Sequence, residues 1–121
     1  MTAGAASALP MLKNLLFAAG WHGGNERVFE AVPHMSDDLS VEDILSTLEN
    51  LEVPTSHTIS NPYDINPDDT PLLFVDRRGQ MLGILEARDY ELLIAQPGSE
   101  EPVWTPRWRD RGHMIRLERF D

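Results

Sequence analysis

Apolar positions recur at helical spacing up to residue 51, and from residue 53 onward the period shortens to that of strands. Leu9, Leu12, Leu15, Leu16 and Ala19 predict a first helix, with Pro10 tolerated in its first turn and Gly20 as its stop. Asn25 reads as the N-cap of a short second helix carrying Val28, Phe29 and Val32, ended by Pro33. The third helix is the clearest. Ser40 with Asp43 three residues on forms a capping box in which Asp replaces the usual Glu or Gln. Val41, Ile44, Leu45, Leu48 and Leu51 then make one apolar stripe, predicted to pack on the sheet as core, while Glu42, Asp43, Ser46, Glu49 and Asn50 face away.

Strands follow. Residues 56–59 predict a short first one, and 61–70 a loop rich in proline and aspartate. Leu72–Val75 is an apolar run with the character of a buried strand. A hairpin loop over residues 76–80, containing Gly79, leads into Met81–Ala87, and Arg88 with Asp89 turns the chain into a strand over 90–95. After a turn at Pro97, Gly98 and Ser99 come a short edge strand over 102–104 and a closing strand over 113–120. In that last segment Met114, Arg116, Glu118 and Phe120 alternate with Ile115, Leu117 and Arg119, a mixed pattern rather than a clean one. Helices first and hairpin-linked strands afterwards imply an α+β fold, about three helices on a five- to six-stranded antiparallel sheet. A chain of 121 residues suits a single domain, 1–121, with residues 1–8 a loose N-terminus.

Composition narrows the chemistry. The chain has no cysteine, so disulfides, thiolate metal sites and thiol nucleophiles are all excluded; this fits a reducing cytosol. The apolar run from residue 8 to 21 is too short and too polar to span a bilayer and lacks a basic leader. Net charge is −10, and between Glu26 and Asp69 eleven carboxylates face Arg27 alone. That balance argues against a nucleic-acid partner, which demands a basic face. The five arginines from Arg107 onward read as a solvated strand face paired with acidic neighbours, or as a basic edge toward anionic lipid or an acidic partner.

No motif supplies a catalytic centre. His22, His34, His57 and His113 lack the short spacings of zinc ligands, so surface or structurally bonded histidines are the expectation, and no metal or cofactor is implied. No serine sits in a Gly-x-Ser-x-Gly setting, and Gly23-Gly24, with no preceding strand and no following lysine, is a connector rather than a phosphate loop. The acidic pairs Asp37-Asp38, Asp68-Asp69 and Glu100-Glu101 read as soluble loops without calcium-loop spacing. Trp21, Trp104 and Trp108 are core or interface residues.

The order and spacing of these segments resemble a known family. Leu15-Leu16-Phe17-Ala18-Ala19-Gly20-Trp21 is similar to the first helix of the papain-like N-terminal domain of bacterial ABC exporters, related to cysteine peptidases that trim double-glycine leaders from bacteriocins. Leu39-Ser40-Val41-Glu42-Asp43-Ile44-Leu45 resembles its second helical motif, Thr70-Pro71-Leu72-Leu73-Phe74-Val75 its proline-then-strand segment, and Gly112-His113-Met114-Ile115 its final strand. The resemblance runs from about Leu9 to Phe120 and implies the papain-like fold. Carried over by position, it puts Ser7 where the peptidases have cysteine, Gln80 and Met81 where the catalytic histidine falls, and Gln96, before Pro97, where the orienting aspartate falls. Serine without a histidine base is inert in this role. The resemblance therefore implies a degenerate peptidase, not an enzyme.

Two functions follow from it as expectations. The first is a recognition module for type I secretion that holds unfolded substrate at the cytoplasmic face of the inner membrane, in a groove lined by Ser7, Gln80, Met81 and Gln96. The partners would be the secreted protein and the exporter's membrane and ATPase domains, without direct membrane insertion by this segment. The second is a docking or regulatory domain of the exporter that never touches cargo. A free-standing enzyme of other chemistry has little support.

Overall fold

The computed structural model describes residues 8–32, 39–99 and 101–120. Three helices, α1 (Ala8–Ala18), α2 (Asn25–Ala31) and α3 (Val41–Asn50), precede six strands: β1 (Thr55–Ser60), β2 (Leu72–Val75), β3 (Met81–Ala87), β4 (Glu91–Ala95), β5 (Val103–Pro106) and β6 (Gly112–Leu117). The strands form one antiparallel sheet in the order β1-β6-β2-β3-β4-β5. This is the α+β architecture expected, with three helices and a six-stranded antiparallel sheet.

Helix α1 buries Met11, Leu12, Leu15 and Leu16, and its end is set by Gly20 at φ +87°. There the Gly20 amide donates to the Phe17 carbonyl and the Trp21 amide to the Leu16 carbonyl, the paired bonds that satisfy terminal helix carbonyls. Ala8, expected in the loose terminus, is instead the first residue of α1 and is buried. The rest of that stretch, Ser7 included, lies outside the described residues. Gly24, not Asn25, is the N-cap of α2; Asn25 is already helical. The capping box of α3 is present: Ser40 Oγ accepts from the Asp43 amide at 3.1 Å, and Asp43 Oδ2 from the Ser40 amide at 2.9 Å.

The sheet carries a core on each face. On one, α1 crosses β3 so closely that a Cβ on Gly83 would stand 3.2 Å from Leu15 Cγ; Leu73, Val75, Leu85, Ile115 and Leu117 join the helices there. On the other, Leu72, Phe74, Ile84, Leu92, Ile94 and Met114 pack with Ile65 and Trp108. That second core explains the irregular pattern of the closing strand, in which Met114 points one way and Ile115 and Leu117 the other, all buried. It also explains why all four residues of β2 are buried.

Several sequence expectations shift. The closing strand stops at Leu117 rather than residue 120, because the chain then runs back to α1, where the Phe120 amide donates to Ala19 O at 2.7 Å. The 61–70 loop contains two 3-10 turns, Pro62–Asp64 and Pro67–Asp69. In the α3 stripe, Ile44, Leu48 and Leu51 are buried, but Val41 and Leu45 are only half-buried and border an open concavity beside β1.

Candidate functional site

The resemblance points to one end of the β3–β4 pair. Gly83 pairs with Ala95, so Gln96, directly after β4, lies level with the start of β3, where Gln80 and Met81 stand. The structure therefore brings those three residues to the same end of one hairpin. Ser7, the fourth, lies outside the described residues, although the helix that follows it packs across β3. Gln80 is exposed, and its amide donates to Asp76 Oδ1 at 2.9 Å in the β2–β3 turn. Met81 is half-buried against the helix-side core. Gln96 is exposed, its carbonyl accepting from the Ser99 amide in the following turn. A glutamine amide is not a titratable base, so Gln80 cannot act as the general base that the resemblance places there, and without an imidazole at that position Gln96 has none to orient.

The arginines fit neither sequence reading as a group. Arg107 donates through Nε and Nη2 to the Arg88 carbonyl and through Nη1 to the carbonyls of Pro62, Tyr63 and Ile65, the last at 2.7 Å. Arg119 Nε donates to Thr70 O at 2.8 Å, and Arg116 Nη2 to Asp68 O at 3.2 Å beside a 3.7 Å ion pair with Asp69. Three of the five thus hold the backbone of the 61–70 loop under the second core. Arg109 lies over the Tyr63 ring, its guanidinium carbon 4.1 Å from the centroid. Trp108 meets Phe74 edge-on at 6.2 Å, Trp104 lies under the Arg88 guanidinium at 3.4 Å, and Trp21 is half-buried beside the helix-side core.

A constellation that spacing concealed lies at the opposite side of the sheet. His57 of β1 and His113 of β6, 56 residues apart in sequence, meet with Nε2 and Nδ1 at 2.7 Å and ring centroids at 4.9 Å. Antiparallel pairing puts His57 opposite Ile115 and His113 opposite Ile59, so the two imidazoles meet on the diagonal. One nitrogen donates and the other accepts. The pair borders a concavity of about 310 Å³ lined mainly by Val41, Leu45, Val75 and Ile115. Among the described residues, no group of three or more histidine or carboxylate side chains is placed to hold a metal ion. His22 is exposed, while His34, Asp37, Asp38 and Glu100 lie outside the described residues. Asp69 caps a 3-10 turn through the Asn66 amide at 3.0 Å. Among the described residues no helix is long and apolar enough to cross a membrane.

Neither protein-family profiles nor curated protein sequences give a match to this chain. Solved structures do. The fold matches that of the N-terminal peptidase C39-like domain of the toxin secretion ATP-binding protein from Vibrio parahaemolyticus, with a TM-score of 0.64 at 12% sequence identity, over 93% of this chain and 97% of that one. The architecture built here from three helices and a six-stranded sheet is a C39 peptidase-like fold.

Proposed function

We propose that this domain is a non-catalytic, peptidase-like module of a bacterial secretion ABC exporter that recognises unfolded secretion substrate at the cytoplasmic face of the inner membrane. One observation carries the reading: a C39 peptidase-like fold is built on a chain with no cysteine. Thiolate attack needs a thiol, a base and an orienter for that base. Gln80 and Gln96 stand at the hairpin end where the resemblance puts the last two. On this reading the surface at that hairpin end holds an extended chain without cutting it. Binding is weak, because ordering an unfolded segment offsets much of the contact energy, and an exporter must release its cargo.

Titrating the isotopically labelled domain with the exporter's denatured secretion substrate tests this reading. Resonances of Gln80, Met81 and Gln96 should shift with denatured substrate and stay unmoved with folded substrate. The docking alternative has its own observation: Phe17 of α1 is 83% exposed and Phe29 of α2 is 44% exposed, apolar rings that an exporter's membrane or ATPase domain would cover. Shifts confined to Phe17 and Phe29, seen only with those domains, would favour it.

A further inference from the structure

β1 is a terminal strand of the sheet, and its sequence does nothing to discourage a further strand. Its six residues, Thr55 to Ser60, carry no formal charge and no proline; they pair with β6 in unbroken register, and five of them are exposed. The other edge, β5, is four residues long, ends on Pro106 and follows Pro102. Edge strands expose unpaired N–H and C=O groups that recruit other chains, and short length, proline, charge or bulges prevent this. β5 has such protection. β1 also follows a proline, Pro54, but is longer, carries no formal charge and pairs in unbroken register over all six residues.

Two concavities lie beside β1 on the helix-side face. The first, about 310 Å³, is the apolar one between α3 and the His57–His113 pair. It shares Val75 and His113 with the second, about 540 Å³, whose lining adds Ile59, Arg77 and Arg111. The charge of this second space runs against the rest of the molecule. On a chain of net charge −10, it presents two guanidinium groups and one carboxylate, Asp76, whose Oδ1 already accepts from the Arg78 and Gln80 amides. Arg77 is 82% exposed and reaches its carboxylate neighbour, Asp110, only at 4.0 Å. Arg111 makes no hydrogen bond or ion pair among the described residues. Arg107, Arg116 and Arg119, by contrast, are committed to backbone carbonyls.

We propose that β1 and these two concavities bind an extended polypeptide segment carrying apolar side chains and at least one acidic one, added to the sheet as a further strand. The β1 edge offers main-chain hydrogen bonds, and alternate side chains of the added strand fall on the helix-side face. There the apolar space takes a side chain such as valine, and Arg77 with Arg111 takes a carboxylate. The inference rests on the reading that this domain handles unfolded polypeptide, and adds a second surface and its chemical preference.

The test uses two short blocked peptides, one alternating valine and glutamate, the other alternating valine and lysine. Titrated into the labelled domain, the acidic peptide should shift the β1 resonances together with Val75 and His113. It should bind at least about tenfold more tightly than the basic one. The Arg77→Glu/Arg111→Glu variant should lose that preference; both side chains are exposed, so the fold is retained. Equal binding of the two peptides would overturn the proposal. So would shifts confined to Gln80, Met81 and Gln96, or no peptide shifts while denatured substrate still perturbs those three; in both cases the substrate-binding reading stands. Concentration-dependent β1 shifts in the free protein with a doubled mass would assign the edge to a second copy and overturn it too. If neither peptides nor denatured substrate shift any resonance, both readings fall together.

Discussion

Arg107 Nη1 and the carbonyl oxygen of Ile65 meet at 2.7 Å, so a side chain from the β5–β6 connection fastens the loop that floors the second core. The same guanidinium reaches the carbonyls of Arg88, Pro62 and Tyr63, while Ile65 itself is buried against that core. Carbonyls held this way cannot all be satisfied by an ammonium, which lacks the planar fork. Arg107→Ala should lower stability by about 1.5–3 kcal/mol, the range for hydrogen bonds to a charged group. Arg107→Lys should recover less than half of that loss in a urea melt. Full recovery by lysine would mean that charge rather than the fork secures the loop.

Leu48 and Leu45 offer a contrast within one helix. Leu48 is 1% exposed, whereas Leu45 is half-buried and borders the concavity beside β1. Leu48→Ala should therefore cost about 2–5 kcal/mol. Leu45→Ala removes fewer contacts and should be clearly milder in parallel denaturant titrations. A Leu48→Ala loss under about 0.5 kcal/mol, typical of surface changes, would mean that α3 does not seal the core.

Helix α1 depends on a missing side chain. A Cβ at Gly83 would stand 3.2–3.3 Å from Leu15 and Met11 atoms, both in fully buried side chains. Gly83→Val should destabilise by about 1–3 kcal/mol through overpacking. Shortening the facing side chain, as in Leu15→Ala/Gly83→Val, should cost less than the sum of the two single changes. Strict additivity would place α1 farther from β3 than described here.

Local rules made much of this legible in the sequence. Ser40 and Asp43 announce the start of α3 because both halves of a capping box lie within one turn. Leu72–Val75 reads as a buried strand because its four residues are all apolar. What escaped were features made by distant residues. Ile65 sits in an irregular segment without a period to betray it, yet it helps close the second core. The guanidinium of Arg107 finds carbonyls 42 to 45 residues away, and no charge pattern predicts a neutral partner. His57 and His113 looked dispersed because ligand spacing is a sequence criterion, whereas β1–β6 pairing is a topological one. At the candidate site, Gln80, Met81 and Gln96 were singled out by the resemblance, and they lie at one end of the β3–β4 pair because a hairpin preserves sequence order in space.

Peptidase activity is the sharpest consequence of that placement. With no cysteine in the chain, the only hydroxyl that the resemblance offers as nucleophile is Ser7. A serine hydroxyl needs a general base to become reactive near neutral pH. Gln80 and Met81 provide none at the position implied for the histidine, which leaves Gln96 no imidazole to orient. Incubation with double-glycine leader peptides should give no cleavage above buffer across the neutral pH range, read by mass spectrometry of the products. Steady turnover that disappears in Ser7→Ala would show a working serine nucleophile and remove the basis for a purely binding role. Turnover that survives Ser7→Ala but disappears in Gln80→Ala would locate a nucleophile or base elsewhere in the same hairpin. Absence of cleavage together with shifts at Gln80 and Gln96 on adding denatured substrate is the combination that a domain built to hold, and not to cut, must produce.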